Sequence, residues 1–208
     1  MKCVILTSVS SAISQVAALT VPNKLEYCLR HGYSLMVENQ PYQDAVHNVQ
    51  RFASYFDQFD IVWTLDADTV ITNMTTALHE LECLGPICTV CEENIVPWNY
   101  VNCGSVVWQN TPDTRHLLNA INDAEPVWRG LPCIWQSWLG EAAKQRPDIV
   151  TVAPTRAFNS VAWTHPGGGE YAPGSHWRPG DFVFHPCGVF PGEERVRSLT
   201  AALAMVVR

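Results

Sequence analysis

Two carboxylates one residue apart close an apolar run: Asp60-Ile61-Val62-Trp63-Thr64-Leu65 leads straight into Asp66-Ala67-Asp68. The run is rich in β-branched and aromatic residues, as a central strand should be. Its end therefore brings two carboxylates close together at the margin of a core. Desolvating such a pair is costly unless something neutralises it, and a divalent cation would do so. An Asp-x-Asp pair at a strand end suits a cation that also binds a diphosphate and neutralises its charge as it departs. Asp-x-Asp is common by chance, and its position at the strand end is what makes this copy informative. A third ligand is His185, which ends the apolar run Asp181-Phe182-Val183-Phe184. It would aim at the same edge if that run joins the same sheet. A lone histidine is more often a core or surface residue, but glycine-rich segments on both sides of His185 favour a role in function.

The elements that must position these residues alternate. Cys3–Thr7 reads as a first strand, and a helix follows over roughly Val21–Arg30, with Pro22 near its start and His31-Gly32 at its stop. Tyr33–Glu38 reads as a second strand. Gln43–Phe59 places Val46, Val49, Phe52, Ala53 and Phe56 on one helical face. The strand ending at Asp66 is the third. This β-α-β-α-β order predicts an α/β fold with a mostly parallel, Rossmann-like sheet and helices on both faces. Ligands of such sheets bind beyond the carboxyl ends of the strands, which is where Asp66, Asp68 and the pair Thr7-Ser8 fall. No G-x-G-x-x-G follows the first strand, which argues against a dinucleotide-binding dehydrogenase.

The second half is less regular. Val101–Asn110 and Asp148–Pro154 read as strands, and so does Ile87–Cys91. Helices are expected after Thr111 as N-cap with Pro112 at the first position, over Cys133–Gln145, and over Pro191–Val207. Thr164–Asp181 crowds glycine, proline, histidine and tryptophan, which no core element tolerates. Pro166–Pro179 within it is expected to be a mobile loop that orders over a bound donor. No repeat or linker interrupts the chain, so residues 1–208 are expected to form one domain.

Composition narrows the classes. The chain of 208 residues is 47 % hydrophobic and 16 % charged, enough for one well-formed core and unlike a disordered chain. A formal net charge of -7 argues against a general nucleic-acid binder. No apolar run approaches the roughly 20 residues of a membrane span, and Cys3–Thr7 suits a core strand better than a leader. A cytoplasmic protein, bacterial or viral in style, is expected. Eight cysteines are many. Cys83-x4-Cys88-x2-Cys91, with Cys103 beyond, has a spacing that iron–sulfur or zinc sites use. If Ile87–Cys91 is a strand, however, Cys88 and Cys91 point to opposite faces.

The segments "NKLEYCLRHGYSL", "YFDQFDIVWTLDADTVITN", "VNCGSVVWQN", "TRAFNS" and "WRPGDFVFHPCG" follow one another as in retaining GT-A glycosyltransferases. The chain resembles glycosyltransferase family 34 (galactosyl-, xylosyl- and mannosyltransferases) over roughly residues 1–190, with a looser likeness to family 8. The resemblance implies a single GT-A domain in which Asp66, Asp68 and His185 hold Mn²⁺ (or Mg²⁺) against a nucleotide diphosphate. It implies that Lys24 lies near the nucleotide, that Asn102, Gly104 and Ser105 line the sugar site, and that Gly188 approaches the phosphates. Gln136 matches a glutamine near the reacting sugar. The likeness fails in two places. Ile134 and Trp135 stand where related plant enzymes carry acidic residues, and Pro191 stands near a family 8 lysine.

The expected activity is transfer of a hexose or pentose, with retention, from a nucleotide sugar to a hydroxyl acceptor. A UDP-linked donor is implied by the resemblance. The acceptor stays open among glycan, lipid, protein and hydroxymethylated viral DNA base, so nucleic acid enters only as an acceptor. Gln136 would position and polarise, without covalent attack. Trp163 and Trp177 flank the glycine-rich segment and are candidates for an acceptor platform; Trp135 and Trp138 could equally be core. Two other readings stay open: a nucleotidyltransferase, which would want a basic glycine-rich loop that "TSVSSAIS" lacks, and a metal–thiolate module on Cys83, Cys88, Cys91 and Cys103.

Overall fold

The computed structural model describes residues 1–39, 53–82, 84–91, 101–128, 134–162, 176–188 and 192–208. Its centre is a six-stranded sheet in the order β2-β1-β3-β6-β5-β7. The strands are β1 (Cys3–Val9), β2 (Ser34–Asn39), β3 (Ile61–Leu65), β5 (Ile87–Cys91), β6 (Val101–Gln109) and β7 (Val150–Ala153). β1 runs parallel to β2 and β3, and β5 parallel to β7; β6 alone is reversed, antiparallel to both β3 and β5. The expected mostly parallel α/β sheet is therefore present. Helices α1 (Ser14–His31), α2 (Pro112–Trp128), α3 (Ile134–Gln145) and α4 (Gly192–Ala204) surround it.

Local chemistry explains the borders. α1 ends at Gly32, whose φ of 69° places it in the left-handed region that glycine adopts without strain. α2 begins where Thr111 Oγ1 accepts the Thr114 N–H, the expected N-cap, with Pro112 next to it. The start of α1 differs from the expected one. It begins at Ser14 and runs through Pro22, which leaves the Ala18 carbonyl without its usual donor. Ala18 and Pro22 both lie on the exposed face, where water can take that place. The predicted helix over Gln43–Phe59 lies outside the described residues up to Phe52; Ala53–Tyr55 close a helical turn, and Phe56 packs into the core under β1, β3 and β6.

A second sheet was not expected. β4 (Val70–Ile71), β8 (Ser160–Val161) and β9 (Val183–His185) form a three-stranded sheet in the order β4-β9-β8. The run ending in His185 thus does not join the central sheet. It pairs antiparallel with β4, the continuation of the Asp66–Asp68 turn, and so returns the histidine to the same edge by another route. Two and three residues are too few to show a period of two, so no pattern announces this sheet.

One core lies under α1, between β1, β3 and the second sheet, with Trp63, Tyr27, Phe158 and Phe182 at its centre. A second lies on the opposite face, around Val62, Trp108, Leu139 and Ile149. Among the described residues no helix is long and apolar enough to cross a membrane.

Candidate metal and donor site

The site forms where β3 stops. The Asp66 N–H donates to the Gly104 carbonyl (2.8 Å), and the Asp66 carbonyl accepts the Thr69 side-chain hydroxyl (2.8 Å) and its N–H (3.2 Å). The chain therefore turns at Asp66–Thr69, and both carboxylates project from one tight turn. Because β6 is reversed, its first residues, Asn102–Ser105, arrive at this same edge; Leu65 pairs with Ser105.

α1 clamps the turn from below. Lys24 Nζ donates to the carbonyls of Thr69 (2.8 Å) and Ala67 (3.3 Å), and Thr20 Oγ1 lies 2.5 Å from the Ala67 carbonyl. Asn23 exchanges two hydrogen bonds with the backbone of Ile71 (3.0 and 2.8 Å). Thr20, Asn23 and Lys24 share one helical face, as residues three and four apart do.

His185 Nε2 lies 3.4 Å from Asp68 Oδ1 and 3.7 Å from Asp66 Oδ2. One donor atom from each of the three residues lies within 4.8 Å of the other two. Two carboxylates and an imidazole are a donor set that suits Mn²⁺, and at this spacing all three fit around one cation. The fold thus brings together the three residues grouped from the sequence as candidate ligands. Among the described residues no other group of three histidine, cysteine or acidic side chains has metal-binding spacing.

The electrostatics answer how two carboxylates share this edge. Burial pushes the Asp66 carboxyl up to about 6, and Asp68 adds to the rise; His185, Lys24 and Arg195 oppose it. Its side chain is 58 % exposed at the mouth, so water relieves part of that burial. Asp68 is only 14 % exposed. Burial works against its charge, but His185 and then Arg195 outweigh that and hold its carboxyl below the usual range. Burial likewise opposes charge on His185, 3 % exposed, yet Asp68 and then Asp66 lift its pKa above the ordinary histidine value. Burial lowers Lys24, wholly enclosed, to about 7, with Asp68 and Asp66 pulling the other way. Arg195 and His185, with Lys24 only partly charged near neutrality, therefore offset the carboxylates within the protein itself.

Arg195 is the site residue that sequence reasoning missed. It lies in the first turn of α4, with Nη1 3.4 Å from Asp68 Oδ2. Its only signal was a basic residue seven positions past Gly188, in a stretch that reads as an ordinary amphipathic helix.

The other expected residues fall as follows. Gln136, in the first turn of α3, is half-buried, and its Oε1 accepts the N–H of Cys103 beside Gly104 (3.3 Å). Gly188 is half-exposed at φ 69°. Thr7 and Ser8 lie within β1, which extends to Val9 and does not stop at Thr7 as expected; pairing with β2 continues to Val9–Asn39. Thr7 Oγ1 is buried and has no hydrogen-bond partner among the described residues. Lys24 lies beneath the turn, with its ammonium on backbone carbonyls. Asn102 and Ser105 are buried; Ser105 Oγ accepts the indole N–H of Trp63 (2.9 Å).

Trp177 is not a platform. It is 3 % exposed, packs edge-on against Phe184 and donates its indole N–H to Thr72 Oγ1 (3.0 Å). Its neighbourhood of prolines and glycines reads as surface, but the backbone there adds a bridge to β8 that draws the ring inward. Trp138 belongs to the core. Trp163 and the glycine-rich segment up to Ser175 lie outside the described residues, as do the side chain of Trp135 and Cys83. Cys88 is buried in the core under α1.

The fold that carries these residues occurs in solved structures. A glycosyltransferase involved in the glycosylation of the major capsid of PBCV-1 superimposes with a TM-score of 0.75 at 16 % identity, over 97 % of this chain and 100 % of that one. The fold is that of the GT-A glycosyltransferases. Galactosyltransferase LgtC, solved with donor and acceptor sugar analogs, matches with a TM-score of 0.60 at 12 % identity, over 99 % and 97 % of the two chains. The bifunctional glycosyltransferase WbbM matches at 0.63 and 11 % identity, over 99 % of this chain and 50 % of that one. No protein-family model and no curated protein sequence matches the chain. The likeness to GT-A enzymes is thus one of fold.

Proposed function

We propose that the protein is a metal-dependent, retaining glycosyltransferase that uses a nucleotide sugar, UDP-linked by resemblance, and a hydroxyl acceptor. The observation that carries this reading is the convergence of Asp66, Asp68 and His185 at the carboxyl edge of a GT-A sheet. A divalent cation held there, Mn²⁺ or Mg²⁺, would neutralise charge on the departing diphosphate. Arg195 would add a second positive charge on the same side once a donor draws it from Asp68. Gly188, with no side chain, allows phosphates to approach its backbone.

The reaction breaks the bond from the anomeric carbon to the diphosphate and forms a bond from that carbon to the acceptor oxygen. The acceptor proton goes to an oxygen of the departing diphosphate. Retention is what the resemblance implies; an inverting enzyme would need a general base held opposite the departing diphosphate. The carboxylates and histidine that the sequence offers for such a base near the site are Glu141, His165 and Glu170. Glu141 turns to Lys144 (2.6 Å) at the surface, and the other two lie outside the described residues. Gln136 would position the sugar and orient a dipole toward developing charge. LgtC has a glutamine in its active site, whose glutamate variant has been solved, a precedent for a glutamine at such a site. The acceptor class remains glycan, lipid, protein or modified DNA base. A glycan on a protein is supported by the capsid role of the PBCV-1 enzyme.

The test is a screen of nucleotide sugars for slow hydrolysis with Mn²⁺, which reports the donor without the acceptor. One donor should be cleaved, and chelation should stop it. Cleavage of none, or cleavage indifferent to chelation, refutes the reading. With an acceptor found, the anomeric proton coupling in the product decides retention.

A further inference from the structure

The segment that resemblance assigns to the sugar site has another task here. Asn102 Oδ1 accepts the backbone N–H of Gly104 (2.8 Å) and an N–H of Asn159 Nδ2 (2.6 Å). Asn159 Oδ1 in turn lies 3.1 Å from His185 Nδ1. These contacts fix one another in a single direction. A backbone N–H can only donate, so the Asn102 atom that meets it is the oxygen. That oxygen must receive an N–H from Asn159, which leaves the Asn159 oxygen toward the imidazole. An oxygen there requires a proton on His185 Nδ1, and the neutral ring then keeps its lone pair on Nε2. Nε2 is the nitrogen that faces Asp66 and Asp68.

Gly104 completes the arrangement by shape. A Cβ on Gly104 would overlap His185 Cε1 and Nδ1, so the Nδ1 side of the ring occupies the space that a side chain at 104 would take. Asn102 and Asn159 are both buried, and the second Asn102 group, Nδ2, lies 3.5 Å from Cys187 Sγ. Their amides are therefore turned to one another and not to an open pocket.

We infer that Asn159 and Asn102 are positioning residues that set the tautomer of His185 from the Gly104 backbone N–H, holding Nε2 bare for the cation. The inference rests on the reading of Asp66, Asp68 and His185 as one metal site. It adds that the Asn102–Gly104 segment is the seat of the histidine.

Long-range ¹H–¹⁵N NMR on metal-free, ¹⁵N-histidine-labelled protein tests it directly, at a pH alkaline enough for the ring to be neutral. His185 is assigned by its loss in His185→Gln. The expected wild-type signature is a protonated Nδ1 and a bare Nε2; a dominant Nε2–H form overturns the inference. In Asn159→Leu the ring should shift toward Nε2–H, and Mn²⁺ affinity by EPR titration should fall about 10–100-fold. Asn159→Asp keeps an acceptor on Nδ1, so it should keep the Nδ1–H form and Mn²⁺ affinity within severalfold, with a lower melting temperature. Wild-type affinity in Asn159→Leu, or equal losses in both variants, overturns the inference. If Asn159→Leu does not fold, the wild-type spectrum and Asn159→Asp still decide. A wild type with the Nδ1–H signature but no Mn²⁺ binding refutes the metal site and upholds the relay.

Discussion

The six-stranded sheet delivers Asp66 and Asp68 from the end of β3, and the three-stranded sheet delivers His185 from the end of β9; both pack on apolar side chains, but they differ in strand length and in how far directional bonds are needed to hold them. The large sheet is sandwiched by apolar side chains: Ile5, Trp63 and Val107 on one face, Val4, Val62 and Trp108 on the other. The small sheet is also packed on apolar side chains, with Ile71 and Val183 in one core and Val70 and Phe184 in another, but its strands have only two or three residues and it is fastened in addition by polar bonds between distant segments. Asp181 is its hub. It accepts two bonds from Arg156 (2.9 and 2.5 Å), one from Ser160 Oγ (2.9 Å) and one from the Arg178 N–H (2.9 Å), and its carbonyl accepts from Thr72 (2.6 Å). The difference teaches that both halves of the candidate site rest on apolar burial, while the short-stranded half depends in addition on directional contacts centred on Asp181. Loss of one such contact should therefore be felt more in the short-stranded half.

The largest effect should come from the ligands, where the sheets meet. Asp68→Ala removes a carboxylate that faces both His185 and Arg195, and Mn²⁺-dependent donor binding should disappear while the fold persists. His185→Ala should weaken it in the same sense. Calorimetric titration of Mn²⁺ with and without nucleotide checks both. Normal binding in both variants would mean that the two sheets do not share a cation at all.

The next effect separates the sheets. Ile5 is wholly buried in the centre of β1, and Ile5→Ala should cost about 2–5 kcal/mol of global stability. Because the D-x-D turn is clamped separately by α1, Mn²⁺ affinity of the molecules that remain folded should stay near wild type. A denaturant melt together with a Mn²⁺ titration at low temperature reads the two quantities. A large loss of affinity would show that core and site are not separable.

Asp181→Asn should do the reverse. Hydrogen bonds to charged groups are worth about 1.5–3 kcal/mol, less here because Arg156 is about one-third exposed, so about 1–2 kcal/mol is expected in a denaturant melt. Affinity for Mn²⁺ should fall alongside, since β9 carries His185 three residues after Phe182. The pH dependence has a definite sign. Burial opposes the Asp181 charge, but Arg156, the Arg178 N–H and Ser160 outweigh it and hold its carboxyl below the usual range. A depressed carboxyl contributes stability above its unfolded value, about 3.9, and loses it as pH falls through the folded value. The stability gap between wild type and Asp181→Asn should be constant near neutrality and close below about pH 4. A gap that widens in acid would contradict this hub.

The contrast between the sheets is also why the sequence was legible in one half and not in the other. Runs such as Cys3–Leu6 and Ile61–Leu65 carry their assignment in composition, and strand-end placement made Asp66 and Asp68 readable. His185 was readable as a ligand but not as part of a second sheet, because Val70–Ile71 and Ser160–Val161 are too short for a periodic signal. Trp177 misled because glycine and proline neighbours imply exposure, while its burial depends on a partner, Thr72, 105 residues away. Arg195 and the Asn102–Asn159 contact were invisible for the same reason: both arise between segments that only the fold brings together.

The smallest effect tests the clamp that keeps the large-sheet half of the site independent. Thr20→Val keeps shape and removes the hydroxyl that reaches the Ala67 carbonyl (2.5 Å). A single neutral hydrogen bond is worth about 1 kcal/mol. The loss should be no greater, because the carbonyl keeps Lys24 Nζ at 3.3 Å and the hydroxyl also has the Val16 carbonyl at 3.1 Å within its own helix. Mn²⁺ affinity should change by less than about threefold, a shift of well under 1 kcal/mol. Parallel melts and Mn²⁺ titrations of Thr20→Val and Asp181→Asn compare the two supports directly. Thr20→Val matching Asp181→Asn in lost affinity would mean that the D-x-D turn is as fragile as β9, and the contrast between a long-stranded half of the site and a short-stranded half that leans on Asp181 would not stand.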